Sequence, residues 1–99
     1  MVDLLKTQKE VYTNKINHNF NVKDVNLEFC LLHEEVSEAF RAYRKKLPDL
    51  GEELADIAIY LLGIAEILKI DLGKEIENKM EKNKKRIYQN NGDVLIRIE

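Results

Sequence analysis

Residues 49–69 read DLGEELADIAIYLLGIAEILK, and the spacing of the apolar side chains within them decides the fold. Leu50, Leu54, Ile57, Leu61, Ile64 and Leu68 recur at steps of three and four, with Ala58, Leu62 and Ala65 beside them. That is the period of an α-helix, and a helix apolar almost all round belongs in an interior. Asp56 breaks the pattern. A carboxylate flanked by Leu54, Ala55, Ile57, Ala58, Ile59 and Tyr60 is expected to be buried on at least one side. Burial there is costly unless a metal ion, a cationic side chain or a proton compensates it. Glu53 stands three residues earlier on the same helix face, so two carboxylates converge.

The preceding segment supplies a second pair. Val25, Phe29, Leu32, Val36, Phe40, Tyr43 and Leu47 mark one buried stripe of a long helix that Asp24 can cap and that Pro48 stops near Leu47. Glu35 and Glu38 lie on the adjoining stripe. The short link through Pro48 makes the two helices antiparallel neighbours, so four carboxylates can face one another across the pair. Such a cluster repels itself without cations, and an all-oxygen donor set lacking His and Cys favours magnesium or manganese over zinc or iron. Taken singly these residues have plainer readings. Glu35 and Glu38 fit a solvated helix surface, Glu53 a helix N-terminus, and Asp56 a salt bridge to Arg41 or Arg44.

Farther out, a first helix is expected over Asp3 to Ile16, with Leu4, Leu5, Val11, Tyr12 and Ile16 on its apolar face, followed by an Asn-rich link. A fourth helix, capped by Asp71, is expected to run to about Gln89 with Leu72, Ile76, Met80, Asn83 and Ile87 inward. On that helix Lys79, Asn83 and Arg86 project from one face, two cations and an amide suited to polyphosphate oxygens. Tyr60, one turn beyond Asp56, can donate its phenol to the same phosphates or serve as a core tyrosine. The alternation after Asn90-Asn91-Gly92 suggests a short strand at 93–98 whose partner is its copy in another subunit. Cys30 reads as core, and His18 and His33 as surface or boundary histidines.

Composition bounds the rest. The chain has 99 residues, 44% hydrophobic and 34% charged, which fits one folded domain spanning 1–99 with no separate substrate-binding domain. A net charge of -2 argues against a nucleic-acid polymer as partner. Asp56, Glu66 and Lys69 interrupt the most apolar stretch, so no membrane span is expected. One cysteine and the lack of a signal-peptide layout at the N-terminus lead to an expected cytoplasmic location. The architecture expected is all-α, a four-helix bundle-like chain whose core helices are completed by dimerisation, because the other helices of so short a chain cannot cover the third.

Glu35-x-x-Glu38, a spacer of 14 residues and Glu53-x-x-Asp56 together resemble the motif of the MazG-like all-α nucleotide pyrophosphatases. LLHEEVSEAFRAYR, GEELADIAIYLLGIAEIL and NKMEKNKKR follow in the expected order, so the resemblance covers roughly Leu27 to Arg86. It implies hydrolysis of a nucleoside triphosphate to the monophosphate and pyrophosphate. It also implies magnesium, with manganese as a possible substitute, held by Glu35, Glu38, Glu53 and Asp56. Lys79, Asn83 and Arg86 match the family's phosphate-side helix, and a homodimer or dimer of dimers is implied. Glu35 or Glu38 is the candidate base for the attacking water. The first helix and the Asn-rich link offer no obvious aromatic cluster for a base, which leaves base and sugar preference open. The alternatives are a non-enzymatic helical dimer that binds a protein through its acidic cluster, and a related hydrolase such as a dimeric dUTPase-like enzyme.

Overall fold

The computed structural model describes residues 2–86, 88–91 and 94–97. The elements are α1 (Leu4–Asn17), α2 (Val25–Arg44), α3 (Leu50–Ile67) and α4 (Leu72–Lys85), followed by β1 (Tyr88–Asn91) and β2 (Val94–Arg97). The architecture is all-α, four helices with a small terminal hairpin. Asp3, Asp24 and Asp71 cap three of the helices by accepting from the backbone N–H of Lys6, Leu27 and Lys74 at 3.2, 3.1 and 3.1 Å. Each such cap contributes about 1 kcal/mol.

Three helix ends close alike. Asn19, Lys46 and Lys69 take φ of 57°, 56° and 59°. The next residues, Phe20, Leu47 and Ile70, donate to the carbonyls of Lys15, Ala42 and Ala65 at 2.8, 2.9 and 2.8 Å. This is the left-handed helix stop, built without glycine. It ends α2 at Arg44, three residues before the expected Leu47, because the residue ahead of Pro48 is also disfavoured in helical conformation.

The chain beyond α4 departs from expectation. The fourth helix ends at Lys85, not Gln89, and Arg86 is extended. Tyr88 to Asn91 pair antiparallel with Val94 to Arg97, Tyr88 opposite Arg97 and Asn91 opposite Val94. The expected strand therefore finds its partner inside the chain, in the residues assigned above to the end of the helix. No residue of α4 is buried, so packing does not hold its last turn helical against a local hairpin. Ile87, expected inward on the fourth helix, and residues 93 and 98 of the expected strand lie outside the described residues.

The α2–α3 hairpin is the spine of the fold, and α1 lies across α3, with Val11 and Lys15 against the backbone of Gly63. The face that α2 turns to α3 lies one position ahead of the expected stripe. Glu28, Ala39 and Ala42 are buried and Val25, Leu32 and Glu35 partly so, whereas Phe29, Val36, Phe40 and Tyr43 are exposed. Nor is α3 interior throughout. Leu62, Gly63, Ile64 and Ala65 are buried, but Leu54, Ile59 and Leu61 are open to solvent in the single chain. Small residues at the α2–α3 seam let the two backbones approach, which displaces the large side chains to the outside. No described helix is long and apolar enough to cross a membrane.

One side chain ties three elements together. Gln8 of α1, buried, donates to Glu66 Oε1 at 3.0 Å and to the Ile70 carbonyl at 2.6 Å, and accepts from the Leu72 N–H at 3.3 Å. It thereby satisfies the corner between α3 and α4. Gln8→Leu keeps the volume but leaves those groups unpaired. A loss of about 2 kcal/mol in urea unfolding is expected, with faster exchange of the Leu72 amide.

Candidate active site

Pairing α2 with α3 brings Glu35, Glu38 and Glu53 together, one carboxylate oxygen from each lying within 4.8 Å of the others. Two of these groups are in a difficult state. Glu35 Oε2 and Glu53 Oε2 are buried and accept no hydrogen bond. Burial is the main force raising the Glu35 carboxyl above its ordinary value, and the negative charges of Glu38, Asp56 and Glu53 add to it. Burial likewise raises Glu53, with Glu38, Asp49 and Asp56 adding repulsion. Acids so placed hold protons more tightly than in water, unless a cation takes the proton's place.

Asp56 is exposed and stands outside this trio, close enough to act on it through charge. The burial expected for Asp56 does not hold in the single chain, where Leu54, Ala55, Ala58 and Ile59 beside it are themselves exposed. Among the described residues it forms no ion pair with Arg41 or Arg44, and the Arg44 guanidinium lies over the Phe40 ring at 5.5 Å. Asp49 joins the cluster unannounced. It caps α3 by position, yet its side chain makes no capping bond, and its Oδ1 is a third buried oxygen without a partner.

Beyond the trio, Tyr60 is half-buried, and its phenol is pushed up first by burial and then by Glu28, Glu35, Asp56 and Glu34. The Lys15 ammonium sits 5.6 Å from the centre of its ring and pairs with the fully buried Glu28 carboxylate. Asn21 donates to the other Glu28 oxygen at 3.3 Å. Above this pair opens a cavity of about 390 Å³ lined by Asn14, Lys15, Phe20, Ile59 and Tyr60 among others. The Asn-rich link thus does present an aromatic ring. Phe20 reaches the cavity and lies 5.4 Å from the His18 ring, centre to centre.

Lys79 and Asn83 are exposed on α4 and Arg86 is half-buried at its end. The chain does not bring them to the carboxylates, since α4 rests chiefly on α1 and lies along neither α2 nor α3. Cys30, expected in the core, is exposed, because the α2 face carrying it is turned from α3. His18 and His33 are at the surface. Sequence reasoning passed over Gln8, Lys15, Glu28 and Asp49. A signal existed for Glu28, which stands two helical turns before Glu35 on the same stripe.

Residues 28–89 match the MazG nucleotide pyrophosphohydrolase domain. The chain belongs to the MazG family. It is also 36% identical over 61 residues to a dATP/dGTP diphosphohydrolase of Salmonella phage PMBT28, an alignment covering 54% of this chain and 21% of the phage protein. The match thus spans about a fifth of that relative's length. No solved structure matches the chain.

The raised carboxyls have a consequence for stability. Their folded-state affinity for protons exceeds the unfolded one, so the folded state binds more protons as pH climbs from about 4.5, the ordinary carboxylate value. In metal-free buffer the melting temperature should fall as pH rises from there through the raised values. Glu53→Gln should flatten that fall.

Proposed function

We propose that the domain hydrolyses a nucleoside triphosphate to the monophosphate and pyrophosphate, with magnesium at the α2–α3 carboxylate seam. The observation that carries this reading is the pair of buried, unpartnered oxygens of Glu35 and Glu53 beside Glu38. An all-oxygen, anionic donor set in that state suits a hard divalent cation, magnesium or manganese. Glu35, Glu38 and Glu53 would hold it, with Asp56 at the exposed margin. Divalent cations bound there supply neutralisation of phosphate charge and acidification of water. The family assignment points to the same chemistry. A protein-binding acidic surface is the weaker account, since it gives no reason for burying these oxygens unpaired.

The chain's own groups then divide the work. Glu35 or Glu38 takes the proton from the water that attacks phosphorus. Tyr60, whose raised phenol stays protonated at neutral pH, donates to a phosphate oxygen. The cavity beside Tyr60 receives the nucleoside, with Phe20 and Tyr60 offering ring faces and Asn14 an amide for the base edge. Asp56 to Tyr60 is one helical turn, roughly 6 Å, so base and phosphates can be held from one helix.

Pyrophosphate release from a panel of canonical and modified triphosphates with magnesium tests the reading, beginning with dATP and dGTP, the substrates named for the phage relative. Glu53→Gln is expected to lower kcat by about a hundredfold or more with helical circular dichroism retained. Phe20→Ala should raise KM roughly tenfold at little change in kcat, the signature of lost uniform binding. A folded native protein that cleaves no nucleotide and binds neither magnesium nor manganese would sink the proposal.

A further inference from the structure

Among the described residues Glu28, in the first turn of α2, is the one charged group that is fully buried. Its Oε1 pairs with the Lys15 ammonium, and its Oε2 accepts from the Asn21 amide at 3.3 Å. A buried pair of this kind is weak evidence of stabilisation, because apolar residues of like volume commonly fill the same space at no loss. What the pair holds in place is more telling. The Lys15 ammonium stands 5.6 Å from the centre of the Tyr60 ring, and the Lys15 carbonyl accepts from the Phe20 N–H at 2.8 Å. Asn21, next in the chain, is locked in turn. Its Oδ1 accepts from the N–H groups of Lys23 and Asp24 at 3.3 and 3.0 Å, and its Nδ2 donates to the Asp24 carbonyl at 2.8 Å as well as to Glu28.

Phe20 therefore hangs between two residues that are both tied to Glu28. Its ring needs such a tether, since Phe20 is 56% exposed and packing alone does not fix where the ring stands. Tyr60, by contrast, is half-buried on a helix. We propose that the Lys15–Glu28 pair, with Asn21, sets the gap between the Phe20 and Tyr60 rings, which makes Glu28 a positioning residue for the planar base of the nucleotide. This rests on the pyrophosphohydrolase reading and the nucleoside placement given above. Glu28 does not line the cavity and acts through Lys15 and Asn21. A base stacks well only on ring faces held at a suitable offset and separation. A ring left free on the link would have to be ordered each time a nucleotide binds, and that ordering would weaken binding by up to about tenfold.

A mutant cycle tests the assignment, with KM and kcat measured on the best-cleaved triphosphate of the panel above. Lys15→Met combined with Glu28→Leu replaces both partners by apolar residues of similar volume, so no charge is left buried alone. Helical circular dichroism and the melting temperature check the fold. The pair variant should raise KM about fivefold and leave kcat within about twofold, because the carboxylate seam is untouched. Adding Phe20→Ala to it should raise KM no further than Phe20→Ala does alone, about tenfold, since without that ring there is no gap to set. Asn21→Ala, which keeps the ion pair and cuts the link's tie to Glu28, should raise KM in the same way and decides the matter if the pair variant does not fold. A folded pair variant or Asn21→Ala with the native KM overturns the proposal. So does a combined variant whose KM rises by the product of the two effects, about fiftyfold, which would mean that the pair acts independently of Phe20. Phe20→Ala at the native KM would remove the nucleoside placement, and this inference with it, while leaving the chemistry of the seam standing. A native protein inactive on every nucleotide would instead remove the pyrophosphohydrolase reading and all that rests on it.

Discussion

Mutual repulsion among three carboxylates whose oxygens lie within 4.8 Å of one another is the constraint around which the rest is arranged. They meet because Ala39 and Ala42 let α2 lie close on α3. Larger residues there would hold the helices apart and relieve the repulsion, along with any affinity for a cation. Glu28, two turns ahead of Glu35 on the same stripe, shows the contrasting solution. It is more deeply buried, yet the Lys15 ammonium and the Asn21 amide satisfy it. One helix face thus carries an acid that is neutralised within the chain and others that are not. What separates structural from chemical carboxylates here is the partner, not the depth of burial.

Much of this was legible from residue spacing. The i, i+3 pairs Glu35/Glu38 and Glu53/Asp56 and the antiparallel pairing forced by Pro48 sufficed to bring acids together across a helix pair. The face of α2 was misjudged because hydrophobic periodicity selects the largest apolar side chains, and Phe29, Val36, Phe40 and Tyr43 outweigh Ala39 and Ala42 on any such count. Close backbone approach in fact selects the small residues. Gln8 and Glu28 were missed for a related reason, since a polar side chain on an apolar stripe reads as noise until its partner from another helix is seen. The end of α4 was misread because its Lys-rich sequence is helical by pattern, with nothing packed on it to hold that pattern against a hairpin.

The family match begins at Glu28 and so leaves out α1 altogether. Yet most of the lining of the cavity beside Tyr60 comes from α1 and the link after it: Thr7, Glu10, Val11, Asn14, Lys15 and Phe20. The carboxylate seam lies in the matched helices, while most of the cavity's lining lies in the helix and link outside the match. Such a division explains why the seam could be read from a motif and the cavity could not.

Gln8 and Lys15 give α1 a further property. Seven residues apart, they lie on one face two turns from each other, Gln8 engaged at the α3–α4 corner and Lys15 at Glu28. Between them α1 acts as a measuring rod of roughly 10 Å. A single residue inserted into that interval would swing one anchor through about 100° and unseat it. The tolerance of α1 to a change in length between residues 8 and 15 is therefore set by two side chains.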